Sequence, residues 1–296
     1  MTAVTCYARC VSIGSSAAMK LYKMGSTAEK KIGLSPAPPQ CRKFQYAALD
    51  FAGSMGCMSV LTETTIKDTA RIRRERVAPW QHTALIVGVL LLWALYGALR
   101  AKIGMVSDTP RWMRYSGQVL ILWLMTGTTI AGLYRRRRFI RGLLGRVDLR
   151  RDLGAGTLVF VGGIAVLAVV GVALRPLHLT QLRDVVTALA PRTSTELALW
   201  MLVSASAGLC EEFIFRGYLL RQMLSWSGSR VTAVVVTSIL FGGMHLYEGT
   251  AAAIQIGALG ALFATVAVKR GTLRQVIIAH FLQDALAGLG LFLRHS

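Results

Sequence analysis

An all-α bundle of about seven transmembrane helices, preceded by a disordered N-terminal tail, is the fold class that this 296-residue sequence predicts. The first observation is compositional. Hydrophobic residues make up 54% of the chain and charged residues 16%, whereas soluble domains carry about a quarter charged residues; mean hydropathy is +0.51. Water would wet such a surface poorly, but the acyl region of a bilayer needs no wetting. The second observation is that apolar runs recur from residue 83, most of them near the roughly 20 residues a helix needs to cross about 30 Å of hydrocarbon. The third is that Lys and Arg gather in the tail and between the runs, where they orient helices against the cytoplasmic face.

Residues 1 to about 80 mix small polar residues, scattered charge and the stretch Ser35-Pro36-Ala37-Pro38-Pro39 without sustained periodicity, the composition of a disordered tail. Its first acidic residue is Glu29, after Arg9, Lys20 and Lys23. That order fits an organelle transit peptide, and it fits equally an initiator at Met55 or Met58. The expected spans within residues 81–296 are 83–99, 116–134, 157–174, 195–220, 231–248, 251–268 and 275–293. Trp80, Trp112 and Trp226 fall at run edges, where amphipathic rings favour the headgroup zone.

Arg71, Arg73, Arg74 and Arg76 precede the first span, Arg135 to Arg138 and Arg141 follow the second, and Lys269, Arg270 and Arg274 separate the last two. With seven spans these patches share one side, so the expected N-terminus is cytoplasmic and the C-terminus outside. The net charge of +20 is thereby a topology signal, which argues against nucleic acid as a partner. The five cysteines, Cys6, Cys10, Cys41, Cys57 and Cys210, form no CxxC pair and no disulfide framework. His82, His178 and His295 lie in flanks or loops and are expected to be solvated.

Charge inside an apolar run costs about 2.5–3.5 kcal/mol per central Arg or Asp on insertion scales, so such residues read as functional. Glu211, Glu212 and Arg216 share one run, His245 lies in the next, and His280 and Asp284 lie in the last. Glu212 and Arg216 are four apart and can pair along one helix face, which spares both an isolated burial. Glu211 projects about 100° away and stays available as a general base. His280 and Asp284 share a face, as do Phe241 and His245, while Gly242 and Gly243 let a neighbouring helix approach. Counted from the basic turns at about 1.5 Å per residue, Glu211 and His245 lie at similar depth and His280 lies shallower.

Glu211-Glu212-Phe213-Ile214-Phe215-Arg216-Gly217, Phe241-Gly242-Gly243-Met244-His245 and His280-Phe281-Leu282-Gln283-Asp284 follow one another on three separate runs. In that order they resemble the EExxxR, FxxxH and HxxxN/D motifs of the CAAX prenyl endopeptidase and bacteriocin-processing family of intramembrane proteases. The resemblance covers about residues 157–293. It implies peptide-bond hydrolysis within the membrane, with Glu211 activating water, His245 assisting, and Glu212 and Arg216 as structural supports. His280 and Asp284 would stabilise the oxyanion or, in a metal reading, join Glu211 and His245 as zinc ligands. Many members carry Asn where this chain has Asp284; an ionised Asp cannot donate to an oxyanion, whereas Glu, two His and Asp are acceptable zinc ligands.

The implied partners are membrane lipids and a membrane-associated peptide or protein, and the implied location is a multi-pass protein of a bacterial cell membrane. Two other classes share the polar pattern: a transporter or proton relay, and a non-catalytic scaffold or immunity protein. No inverted repeat or pair of broken helices supports the transporter.

Overall fold

The computed structural model describes residues 77–102, 109–133, 137–145, 147–180 and 187–295. The chain divides into Met1–Thr65 and Ile66–Ser296. The first unit, with the tail expected over residues 1 to about 80 as far as position 76, lies outside the described residues. So do Cys6, Cys10, Cys41, Cys57, the arginines at 71–76 and the side chains of Arg135 to Arg138.

Every regular element among the described residues is helical: α1 Trp80–Lys102, α2 Arg111–Gly132, α3 Arg137–Leu144, α4 Leu149–Leu174, α5 Ser194–Glu212, α6 Leu220–Ser227, α7 Arg230–Gly243, α8 Thr250–Arg270 and α9 Arg274–His295. A π-helical turn, Phe213–Leu219, joins α5 to α6 in one continuous helical rod. The seven expected spans correspond to α1, α2, α4, the α5–α6 rod, α7, α8 and α9. Five of these are long and apolar enough to cross a membrane: α1, α4, the α5–α6 rod, α8 and α9. Only 6% of the apolar window of α4 is buried, and Leu158, Val161 and Val169 point outward from it. In hydrocarbon that face carries no penalty.

Capping extends two helices beyond their apolar runs. Asp148 accepts from the Arg151 N–H at 3.2 Å, so α4 begins eight residues before the expected 157 with the polar turn Leu149-Arg150-Arg151-Asp152. Thr193 accepts from the Glu196 N–H at 3.2 Å and starts α5. One span is shorter than expected. The run 231–248 is helical only to Gly243, and residues 246–248 form a separate 3₁₀ turn. Gly249, at φ +105°, then turns the chain into α8. His245 therefore stands at the end of α7 and outside its regular turns.

Within the bundle, α9 packs against α4 and α5, α8 against α7 and α4, and α2 against α5. The ends of α4 and α9 are tied by Asp152, buried at 3% exposure, which accepts from Arg274 at 2.5 Å and from Gln275 at 2.7 Å. A second tie corrects the expectation for His82. That ring is half-buried; it shares a hydrogen with the Tyr218 hydroxyl at 2.7 Å and donates to the Thr128 carbonyl at 3.1 Å. Packing of α1 across the π turn leaves it no room to be merely solvated. His178 is exposed as expected, and Cys210 is fully buried.

Small residues set two backbone approaches. A Cβ on Gly208 would lie 3.1 Å from both the Ile277 carbonyl and the Phe281 nitrogen, so α5 and α9 touch there. A Cβ on Gly242 would strike the Ala253 carbonyl and lie 3.0 Å from the Cα of Gly257, whereas one on Gly243 meets nothing within 4 Å. The two glycines of the FxxxH stretch thus separate into one packing residue and one spectator. Gly242→Ala is expected to lower stability by about 1–3 kcal/mol, as overpacking does, while Gly243→Ala stays within about 0.5 kcal/mol of the parent. Thermal melts of both variants in detergent check this, and equal shifts would contradict the assigned contact.

Candidate functional site

A guanidinium that is 1% exposed inside an apolar bundle needs a counter-charge and acceptors. Arg216 donates through Nη1 to Oε1 of Glu212 at 2.9 Å and through Nη2 to the Gly260 carbonyl at 3.4 Å. Its flat face covers the Phe241 ring at 4.0 Å from the centroid, with Phe263 and Phe215 at 5.6 and 5.9 Å. The i,i+4 pairing read from spacing is therefore in place, and it sits where the rod widens into its π turn. Such turns are frequent at functional sites.

The same Oε1 of Glu212 accepts from Nδ1 of His280 at 2.9 Å. Glu212 thus joins two elements 68 residues apart, a role the spacing alone did not reveal. The shallower depth expected for His280 is overcome at Gly208, where the missing side chain lets α9 lie directly on α5. On its other side, Nε2 of His280 lies 3.5 Å from Oδ2 of Asp284. That is an ion-pair distance, longer than a well-formed N–H···O bond; with a carboxylate facing each nitrogen the ring is an imidazolium carrying a hydrogen on both, and the one on Nε2 is loosely held.

His245 donates from Nδ1 to the Phe241 carbonyl at 2.9 Å. A carbonyl only accepts, so the hydrogen of the neutral ring is fixed on Nδ1 and Nε2 keeps its lone pair. The ring lies between Phe241, at 5.1 Å, and Tyr247, which stacks on it at 6.0 Å and 30°. Phe241 therefore has three contacts in the site: the Arg216 cation, the His245 imidazole through its carbonyl, and the edge of His280 at 6.1 Å.

His245, His280 and Asp284 line one cavity of about 280 Å³ between α4, α8, α9 and the end of α7. Glu211 is not in that wall. It is half-buried beside it, within electrostatic reach of His280, His245 and Asp284, and it makes no hydrogen bond or ion pair among the described residues. The wall also holds Glu248, Gln255 and Gln283, which the sequence reading did not single out. Gln255 and Gln283 carried a signal, since each puts an amide into an apolar run; Glu248 lies in the turn beyond α7 and carried none.

Among the described residues no three His, Cys, Asp or Glu side chains are disposed to hold a metal ion. Glu212 rather than Glu211 meets His280, whose two nitrogens both face carboxylates, and His245 keeps a single lone pair, on Nε2. In this arrangement Glu211, His245, His280 and Asp284 are not gathered as a ligand set.

Residues 193–286 match the family described as Type II CAAX prenyl endopeptidase Rce1-like. That segment contains all three motifs. No curated protein and no solved structure matches the chain.

The neighbouring carboxylates should respond differently to loss of charge. Glu212→Gln strands Arg216 and His280 and is expected to cost about 3–5 kcal/mol of stability, as breaking a buried pair does. Glu211→Gln, with no partner to lose, should leave stability unchanged within about 0.5 kcal/mol. Unfolding of both variants in mixed detergent measures the difference, and similar losses would refute the division.

Proposed function

We propose, from the match of residues 193–286 to the Rce1-like CAAX prenyl endopeptidase family, that the chain is an intramembrane endopeptidase in which Glu211 activates the water that cleaves a membrane-associated peptide. The observation that carries the assignment is the contrast between the two adjacent carboxylates. Glu212 is spent on Arg216 and His280, whereas Glu211 is uncommitted beside two imidazoles and Asp284.

The chemistry then runs on the chain's own groups. Nε2 of His245, which carries a lone pair in the neutral ring, accepts a hydrogen bond from the water and orients it. Glu211 takes the other proton, and the water oxygen adds to the carbonyl carbon of the scissile peptide. The carbonyl π electrons move to oxygen, and the loosely held Nε2–H of His280 turns from Asp284 to that oxyanion. Collapse of the tetrahedral species breaks the C–N bond, and the proton held by Glu211 goes to the departing amine. Glu212 takes no proton; it fixes the His280 ring. No step is routed through a metal.

Two outcomes test this in proteoliposomes with a lipidated reporter peptide. Glu211→Gln should reduce cleavage by at least about 10³-fold at normal membrane insertion, since it removes a base without changing shape. Asp284→Asn should keep substantial activity, within about tenfold of the parent, because His280 remains the oxyanion donor and an amide oxygen still accepts from its Nε2–H. It should also remain indifferent to chelator treatment. A Glu211→Gln protein that still cleaves, or an inactive Asp284→Asn whose parent is revived by zinc after chelation, would overturn the assignment.

A further inference from the structure

Gln283 lies between His280 and Asp284 on α9 and lines the same cavity. Its side-chain amide makes no hydrogen bond among the described residues, and Oε1 is buried with no partner. A buried amide oxygen left unmatched costs about 1–3 kcal/mol, and hydrocarbon around the bundle supplies no donor. Reversing the amide orientation would leave the nitrogen orphaned at the same place, so the deficit belongs to the position. The neighbouring amide behaves differently: Gln255, across the cavity on α8, donates to the Leu167 carbonyl at 3.3 Å. Close by on α4, a Cβ on Gly163 would strike Cδ1 of Leu259 and lie 3.9 Å from Oε1 of Gln283 and 4.0 Å from the Phe263 ring, so on that side the oxygen meets apolar carbon and no donor.

We propose that Gln283 is a substrate-positioning residue whose Oε1 accepts a hydrogen bond from a backbone N–H of the bound peptide, close to the scissile bond. This rests on the endopeptidase reading of the same cavity. A peptide entering a lipid-surrounded site brings one N–H per residue that must find an acceptor, and Oε1 is the unmatched acceptor one residue from Asp284 and three from His280. Recognition of the main chain rather than of a side chain makes this contact indifferent to the residue at that substrate position. It holds the peptide in register against the two histidines.

The test is a cycle between enzyme and substrate. A lipidated reporter peptide is N-methylated at each backbone amide flanking the cleaved bond in turn, and KM and kcat are measured with the full-length parent, Gln283→Met and Gln283→Glu. With the parent, methylation at one position should raise KM about tenfold, the loss of one hydrogen bond to a buried acceptor. With Gln283→Met, of similar volume, KM for the unmethylated peptide should be raised about tenfold at nearly unchanged kcat. Methylation at the same position should then cost less than about twofold more. Gln283→Glu, which keeps an acceptor oxygen, should still discriminate. Equal methylation penalties in the parent and Gln283→Met, or an unchanged KM in Gln283→Met, would overturn the proposal, as would indifference of a well-folded Gln283→Glu. Binding of the same peptides to Glu211→Gln protein, with and without Gln283→Met, gives the same comparison as Kd ratios without turnover. A parent that cleaves nothing while these Kd ratios hold refutes the endopeptidase and keeps the contact, whereas cleavage with flat ratios does the reverse.

Discussion

The Arg216 guanidinium is the charge around which the remaining site residues are arranged. A permanent cation has no route to neutrality by losing a proton, so burying it at 1% exposure demands an anion, carbonyl oxygen and polarisable surface at once. Glu212 supplies the anion, Gly260 the carbonyl, and Phe241, Phe263 and Phe215 the π faces. Each answer has a second effect. Glu212, held in place, presents Oε1 to His280; Phe241, pressed under the cation, offers its carbonyl to His245. The two histidines are thus positioned by groups whose first task is to neutralise an arginine. Glu211, one residue along the helix and turned to another face, is exempt from that task.

Much of this arrangement was legible because burial in an apolar run is costly enough to make every polar residue informative. The Glu212–Arg216 pair followed from a spacing of four, and the packing role of Gly242 from its size and its place between Phe241 and His245. What was not legible depends on contacts distant in sequence or on local backbone detail. Nothing in the residues between 212 and 280 announces that α9 rests on Gly208, yet that contact decides which carboxylate His280 meets. The end of α7 at Gly243 was hidden because Leu246 and Tyr247 prolong the hydropathy of the run while the backbone has already turned. The early start of α4 was hidden for the opposite reason: Arg150, Arg151 and Asp152 look like loop until Asp148 caps the turn and Arg274 with Gln275 takes up Asp152.

Polar groups elsewhere in the bundle obey the same rule of local pairing. Gln222 both accepts from the Ala78 N–H at 3.1 Å and donates to the Ala78 carbonyl at 3.0 Å. Tyr218 joins Thr83 at 2.8 Å and His82 at 2.7 Å. These ties hold α1 across the π turn, on the side of the rod that does not face the cavity, so the widened turn is braced from both sides. Five buried side-chain atoms among the described residues lack a partner: Nε of Arg114, Oγ1 of Thr126 and Nε of Arg221 away from the site, and Oε2 of Glu212 and Oε1 of Gln283 at it.

The central claim is that Glu212 couples Arg216 and His280 through one carboxylate oxygen. A double-mutant cycle on unfolding free energy tests it most directly, using Glu212→Gln, His280→Gln and the two together. The account predicts strong non-additivity, with a coupling of at least about 1 kcal/mol, because either single change already breaks the shared contact. Losses that add to within about 0.5 kcal/mol would contradict it, for they would mean that the two residues stabilise the bundle independently.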